Sequence, residues 1–558
     1  MPPASARARP EPASRSNSVR FDRIDFVVAL SLLVVVALRG AWEWRVVDRF
    51  LGDHGWYFRV AERVASGAML YRDVGWDYGP LPVYVLARLF QISKTLVWAE
   101  VLDLILAGAS VWAVYVIARR LTGRRIALWL TVWATFLGAS EGLLTFHLEA
   151  YTSAVAWGAT TSLLAVVAAG GWVGGRSVAA LAAALVLAAA AILSKPEFGL
   201  AASSVVTCAL LQRHPTRAFT ITAIAVVAVT ALAIGLGASP ATLQAWWRGY
   251  SGYDLIAVGQ VPLANVPRMF GALLAAALFA LCLVSGVVRL GAVGIVAIFV
   301  VYRLSTGTSM SFLLDLASAV VSTLWVGAVP AVLWLAWKAR SAGAGRETWI
   351  LCAYAVVVNL RMLLHGEFCV AAAGPVAALS FFAVQRGLFP RPSPGALLVL
   401  AVAVLLFPVR EEIRSLRRAQ RTVPVETSLG VARVHPQVAA DILGMRAALA
   451  DLPAGPLFVS GWGPCWYFVS GRRNPTRFDG LLDGIGVTGP ELPELLDDLR
   501  SDPPAVVVTE RDFVPSAGYS HETLWATIGR RFESSYTSPS RRWEVFVAVE
   551  GGGESRAP

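Results

Sequence analysis

Residues 48–84 read DRFLGDHGWYFRVAERVASGAMLYRDVGWDYGPLPVY, and their position decides the fold. They follow an apolar run, 24–42, that is long enough to cross a bilayer, which takes about 20 residues. Carboxylates, arginines and aromatic rings crowd this stretch, whereas the chain around it is mostly alanine, valine and leucine. A membrane protein that gathers its polar side chains in one place tends to hold its function there. The tail before the run carries Arg7, Arg9, Arg15, Arg20 and Arg23. The positive-inside rule therefore keeps the N-terminus cytoplasmic and puts residues 48–84 outside.

Composition agrees with a membrane protein. The chain has 558 residues, 56% hydrophobic and only 15% charged, with a mean hydropathy of +0.61. A soluble domain carries about 25% charged residues. The formal charge of +11 is explained by arginines in short cytoplasmic loops, so no nucleic-acid partner is inferred. Cys208, Cys282, Cys352, Cys369 and Cys465 form no CxxC pair and read as small buried apolar residues. Residues 1–23, rich in Pro, Ser and Arg, read as a disordered cytoplasmic tail.

Further spans are expected at 99–117, 126–137, from 150 inward and at 177–193. Others return to 212–217, exit near 235 and run over 348–360. With less sharply bounded runs between and after these, the total is about 13. Arg119, Arg120, Arg124, Arg125, Arg176, Arg213 and Arg217 fall at alternate span ends, as one cytoplasmic face requires. Residues 79–97 are apolar but broken by Pro80, Pro82, Arg88 and Lys94, and are expected as helices at the membrane surface. Beyond Pro408 charge rises, and PLFVSGW, AVVVTE and WEVFVAVE show strand patterning beside the helical ELPELLDDLRS. The expected architecture is a polytopic α-helical membrane protein with a small C-terminal extracytoplasmic α/β domain. Its parts are a tail (1–23), a transmembrane domain (24–409) whose first external loop is 44–98, and the α/β domain (410–558). The chain is expected in the plasma membrane as a multi-pass protein.

The chain has no P-loop, no HExxH and no GxGxxG followed by an acidic ribose partner. The outer side offers instead acids, arginines, a lysine and aromatics. A carboxylate at the membrane boundary can take a proton from a hydroxyl, and arginine or lysine can balance a phosphate. Asp53 is the candidate acid, although an acid there equally caps the helix that follows. Asp73 and Asp77 in YRDVGWDYGP also fit turn chemistry. Trp56, Trp76 and Tyr78 offer faces that suit sugar rings.

These motifs carry a resemblance. DHGWYFRVAERVASG, AMLYRD and YGPLPVY follow one another as in the first external loop of the GT-C glycosyltransferases that use polyprenyl-phosphate sugars. That superfamily includes protein O-mannosyltransferases and lipid A aminoarabinose transferases. FHLEAY (146–151), LSKPEFGL (193–200) and GWGPCWYFVSGRRNPTRFD (461–479) resemble later segments of the same proteins. The resemblance implies a GT-C fold and transfer of a sugar from a polyprenyl-phosphate donor to an extracytoplasmic acceptor, with inversion. It implies Asp53 as general base, Lys195 on the lipid phosphate, and Arg361 and His365 near it. Glu149, Arg59, Tyr57 and Asp77 are assigned to substrate binding. His54 stands where a second acid is common, so a carboxylate pair is missing. No metal ligand set is identified, and no cofactor is assigned; a divalent ion near Asp53 stays open. Mannose, arabinofuranose, glucose and aminoarabinose are all open as the sugar. A transporter or flippase of lipid-linked glycans, and a non-catalytic envelope scaffold, are the alternatives.

Overall fold

The computed structural model describes residues 22–43, 52–137, 153–175, 177–238, 346–365, 422–479, 492–511 and 531–549, with single positions 243, 379 and 526. Within these the apolar runs are helices: α1 (Arg23–Glu43), α4 (Val97–Leu121), α5 (Arg124–Leu137), α6 (Ser153–Gly175), α7 (Val178–Ile192), α8 (Pro196–Leu211), α9 (Pro215–Gly235) and α10 (Arg346–His365). Three of them, Val97–Leu121, Ser153–Gly175 and Pro215–Gly235, are long and apolar enough to cross a membrane. Phe219, Ile224 and Val227 on α9 and Phe26 and Leu38 on α1 are exposed, as lipid-facing side chains are. The runs expected between 235 and 348 and beyond 365 lie outside the described residues.

Small residues let these helices approach closely. Hydroxyls tie them internally: Ser110 Oγ meets Thr160 Oγ1 at 2.7 Å between α4 and α6, and Ser162 Oγ meets the Tyr354 hydroxyl at 3.1 Å between α6 and α10.

The bundle has two chemically different ends. At one, Asp25 of α1 accepts from the Tyr115 hydroxyl at 2.7 Å, Arg119 Nε at 3.2 Å and Arg124 Nε at 3.1 Å. Arg120 Nη1 donates to the Val167 carbonyl at 2.8 Å, and Arg213 donates to the Val173 carbonyl. The start of α1, the ends of α4, α6 and α8 and the start of α5 thus meet in an arginine-rich layer. At the other end the α7–α8 corner, the end of α9 and the start of α4 carry the first loop and the α/β part.

Two shorter helices cover that second end, α2 (Gly52–Ala65) and α3 (Leu81–Ile92). Pro80 and Pro82 open α3, where a missing N–H costs nothing, and Val83, Leu86, Ala87 and Phe90 bury one face. On top sits the α/β part. A hairpin pairs β1 (Val423–Thr427) with β2 (Gly430–Val434). A four-stranded sheet has the order β3 (Leu457–Ser460), β4 (Val506–Glu510), β6 (Trp543–Val549), β5 (Arg531–Thr537). Strands β3 and β4 are parallel, while β6 is antiparallel to both its neighbours. Helices α11 (Pro436–Ala450), α12 (Cys465–Ser470) and α13 (Leu492–Ser501) flank it. One hydrophobic core runs from Trp56, Leu70 and Leu86 of the loop into Met445, Trp466 and Val508 of the α/β part.

Candidate active site

Asp53 lies in the first turn of α2, where a negative charge meets the positive helix end. Gly52 ahead of it has φ +65°, a left-handed backbone, and a Cβ there would stand 3.5 Å from Trp462 Nε1. That indole donates to Asp53 Oδ1 at 2.9 Å. Trp462 follows β3, and its backbone N–H donates to Glu510 Oε2 at 3.1 Å. The α/β part therefore supplies a side chain to the candidate acid.

Aromatic rings extend from this contact. Trp462 stands edge-on to Trp56 at 5.3 Å between centroids, Trp56 meets Trp76 at 4.6 Å, and Trp76 meets Tyr78 at 5.2 Å. Lys195 Nζ lies 5.0 Å from the centre of the Tyr78 ring, a cation–π contact. Lys195 is buried and pairs with Glu197 at 3.2 Å. It is the N-cap residue just ahead of α8, whose first residue is Pro196.

Docking of the loop on the α7–α8 corner fixes Lys195. Gly79 N–H donates to the Ser194 carbonyl at 3.0 Å and Leu81 N–H to the Leu193 carbonyl at 2.9 Å. A Cβ on Gly79 would lie 2.1 Å from the Leu193 oxygen, so only glycine fits. Trp76 Nε1 donates to the Gly79 carbonyl at 3.0 Å, and the Tyr71 hydroxyl to the Tyr78 carbonyl at 2.7 Å. Asp77 is half-buried between Trp76 and Tyr78. Burial first, then Tyr84 and Asp77, push the Tyr71 phenol well above its ordinary value.

A second set of contacts clasps the loop to the α/β part. Arg63 donates to Asp479 at 3.1 Å, to the Thr476 carbonyl at 3.1 Å and to the Asp73 carbonyl at 2.7 Å. Asp479 also accepts from Asn474 Nδ2 at 2.8 Å and is fully buried. Arg59 lies 3.6 Å from Asp479 and 2.7 Å from Glu62, with its guanidinium 5.0 Å from the Tyr467 ring centre. Burial opposes the charge on Arg59, but the Asp479 and Glu62 carboxylates outweigh it and raise its pKa.

The expected site residues thus divide. Asp53 and Lys195 share one aromatic cluster, with Asp77 beside Tyr78. Arg59 contributes to the clasp, and Tyr57 lies in the core, where its hydroxyl donates to the Pro82 carbonyl at 2.9 Å; neither contacts the Asp53–Lys195 cluster through a polar group described above. Arg361 and His365 belong to the last turns of α10, but their side chains, like all of Glu149, lie outside the described residues. Among the described residues no group of three or more His, Cys, Asp or Glu side chains gathers as a metal site. Trp462, Glu510, Arg63 and Asp479 were not legible as site residues. The only sign was a Gly-Trp-Gly directly after a strand, which does not say what the ring will touch.

The arrangement can hold a carboxylate in a fixed orientation at one edge of an aromatic wall and a buried ammonium at the other. No family model matches the chain, and no curated protein matches it. Among solved structures it is similar to the apo state of ArnT from Cupriavidus metallidurans, at 17% identity over 94% of this chain and 98% of that one, with a TM-score of 0.41.

Proposed function

We propose that the chain is an integral-membrane glycosyltransferase that moves a sugar from a polyprenyl-phosphate donor to an acceptor on the outer face. The supporting observation is that Asp53 and Lys195, from distant segments, stand at the two ends of one run of aromatic rings: Asp53 on Trp462, then Trp56, Trp76 and Tyr78, and Lys195 over Tyr78. That cluster lies at the end of the bundle opposite the arginine layer. By the positive-inside rule the arginine layer faces the cytoplasm and the cluster faces out.

In this mechanism an acceptor hydroxyl oxygen attacks the anomeric carbon of the donor sugar. Its proton passes to the Asp53 carboxylate. The bond from the anomeric carbon to the lipid phosphate oxygen breaks, and the electron pair leaves with the phosphate. Lys195 at the start of α8 stabilises that charge together with the helix N-terminus. Direct displacement inverts the anomeric carbon.

The test is transfer by the purified full-length protein in lipid nanodiscs, with polyprenyl-phosphate mannose, glucose, arabinofuranose and aminoarabinose as donors. Transfer from at least one donor is expected, together with its loss in Asp53→Asn at unchanged folding. Full activity of Asp53→Asn, or no hydrolysis or transfer of any donor by the native protein, overturns the reading.

A further inference from the structure

Strands β3 and β4 run parallel and end side by side, and the carboxyl edge of parallel strands is where α/β folds bind ligands. After β3 comes Trp462, already in contact with Asp53; after β4 comes Arg511. Strand β6 runs the other way, so it begins at this same edge, with Trp543 opposite Glu510. The turn before β6 is held firmly. Arg541 N–H donates to the Ser538 carbonyl at 2.8 Å, Ser538 N–H to the Trp543 carbonyl at 2.9 Å, and Ser540 N–H to Asp441 Oδ1 of α11 at 2.9 Å.

Between this turn and the start of α11 lies a cleft of about 530 Å³, lined by Gln437, Asp441, Trp466, Arg511, Arg541 and Arg542 among others. Trp466 is 1% exposed, and its indole N–H has no hydrogen-bond partner among the described residues. A buried donor left this way is costly, and an acceptor entering the cleft would relieve that cost. Among the described residues the cleft carries more arginines than acids. Glu510 takes Arg542 at 2.7 Å, and Asp441 is engaged by the turn. Arg511 and Arg541, both exposed, have no acidic partner among the described residues.

We propose that this cleft binds an acidic saccharide, its carboxylate or phosphate held by Arg511 and Arg541 and one of its oxygens accepting from Trp466 Nε1. The guanidinium fork matches either anion. The volume is that of a ligand site and exceeds what an inorganic anion fills. The floor of the cleft is the buried pair Trp466 and Trp543, 5.3 Å apart edge-on. The cleft is also linked to the candidate active site: Glu510 holds Arg542 with one oxygen and the Trp462 backbone with the other. The occupant is then the acceptor; that assignment rests on the transfer reading, whereas the binding itself does not.

The experiment measures binding to the full-length protein in nanodiscs by calorimetry, with four probes: an oligogalacturonate, glucose 1-phosphate, a neutral maltotetraose and inorganic phosphate. Saturable binding of at least one acidic sugar is expected, weakened about tenfold or more by Arg511→Gln and by Arg541→Gln, as for loss of a charged hydrogen bond. The neutral sugar and inorganic phosphate bind at least about tenfold more weakly than that sugar. The tighter of the two acidic sugars tells carboxylate from phosphate. Both arginines are on the surface, so the variants fold; Trp466→Phe adds a check on the buried donor. Asp53→Asn is expected to bind like the native protein even where transfer is lost, which separates this inference from the transfer reading. No binding by either acidic sugar, equal affinity in both arginine variants, or inorganic phosphate as tight as the sugars overturns the proposal.

Discussion

Trp462 Nε1 donates to Asp53 Oδ1 at 2.9 Å, joining positions 409 residues apart in the chain. A carboxylate held by an indole N–H keeps one orientation, and a general base works only when its lone pair points at the proton it takes. Trp462→Phe keeps the ring against Trp56 but removes the donor. A hydrogen bond to a charged group contributes about 1.5–3 kcal/mol, so kcat is expected to fall about tenfold or more while donor KM changes little. Steady-state kinetics check this. A change in KM alone would make Trp462 a packing residue.

Lys195 is buried beside Glu197 and over Tyr78. Lys195→Gln keeps a polar chain without the charge. Donor affinity is expected to weaken about tenfold or more, since charge-assisted contacts to phosphate are the strong ones. Affinity for the same lipid lacking its phosphate should not change. Titration with the two lipids decides, and equal losses for both would mean that the lysine only supports the corner.

Asp479 is buried between Arg63, Arg59 and Asn474. Removing one partner of a buried ion pair costs about 3 kcal/mol or more, because charge is left behind uncompensated. Asp479→Asn is therefore expected to lower the unfolding midpoint of the α/β part by several degrees. Protease sensitivity of the first loop should rise with it, as the clasp opens. Thermal scans in detergent with limited proteolysis measure both, and an unchanged midpoint would discount the clasp.

Asp73 carries a pH signature. Its hydrogen bond from Arg72, and then that from the Met69 backbone, hold its carboxyl down at about 2. The folded pKa lies below the unfolded one, so this stabilisation is present above the unfolded pKa. It is lost as the pH falls from about 4 towards 2. Asp73 is partly exposed, which makes the effect small. Comparing melting midpoints of the native protein and Asp73→Asn at pH 5, 4 and 3 should show the native midpoint falling more steeply. Parallel curves would contradict it.

The helical elements were legible because span length and apolar continuity are local. Runs 24–42, 126–137 and 177–193 differ from α1, α5 and α7 by at most two residues at either end. Asp53 and Lys195 stand out as candidates in the sequence because ionisable residues beside long apolar runs are rare. The partners of Asp53 were not, since the Trp462 contact depends on how a distant sheet packs against α2, and a 409-residue separation leaves no periodicity to read. Arg59 and Tyr57 look like ligand contacts in the sequence because they sit on the turns after Asp53. Packing also ties the first into the clasp and the second into the core, contacts that no local spacing announces. Gly79 reads as a turn glycine, and its actual duty is to let one backbone pass against another.

The shared core of the first loop and the α/β part has a consequence for biosynthesis. The candidate base is made near the start of translation, but the indole that orients it emerges more than four hundred codons later. A chain still threading through the insertion machinery, or one cut short ahead of β3, therefore holds its acid unaimed. On the proposed mechanism, competence arrives only when the part made last has closed over the first loop, so the order of synthesis itself delays chemistry until the molecule is whole.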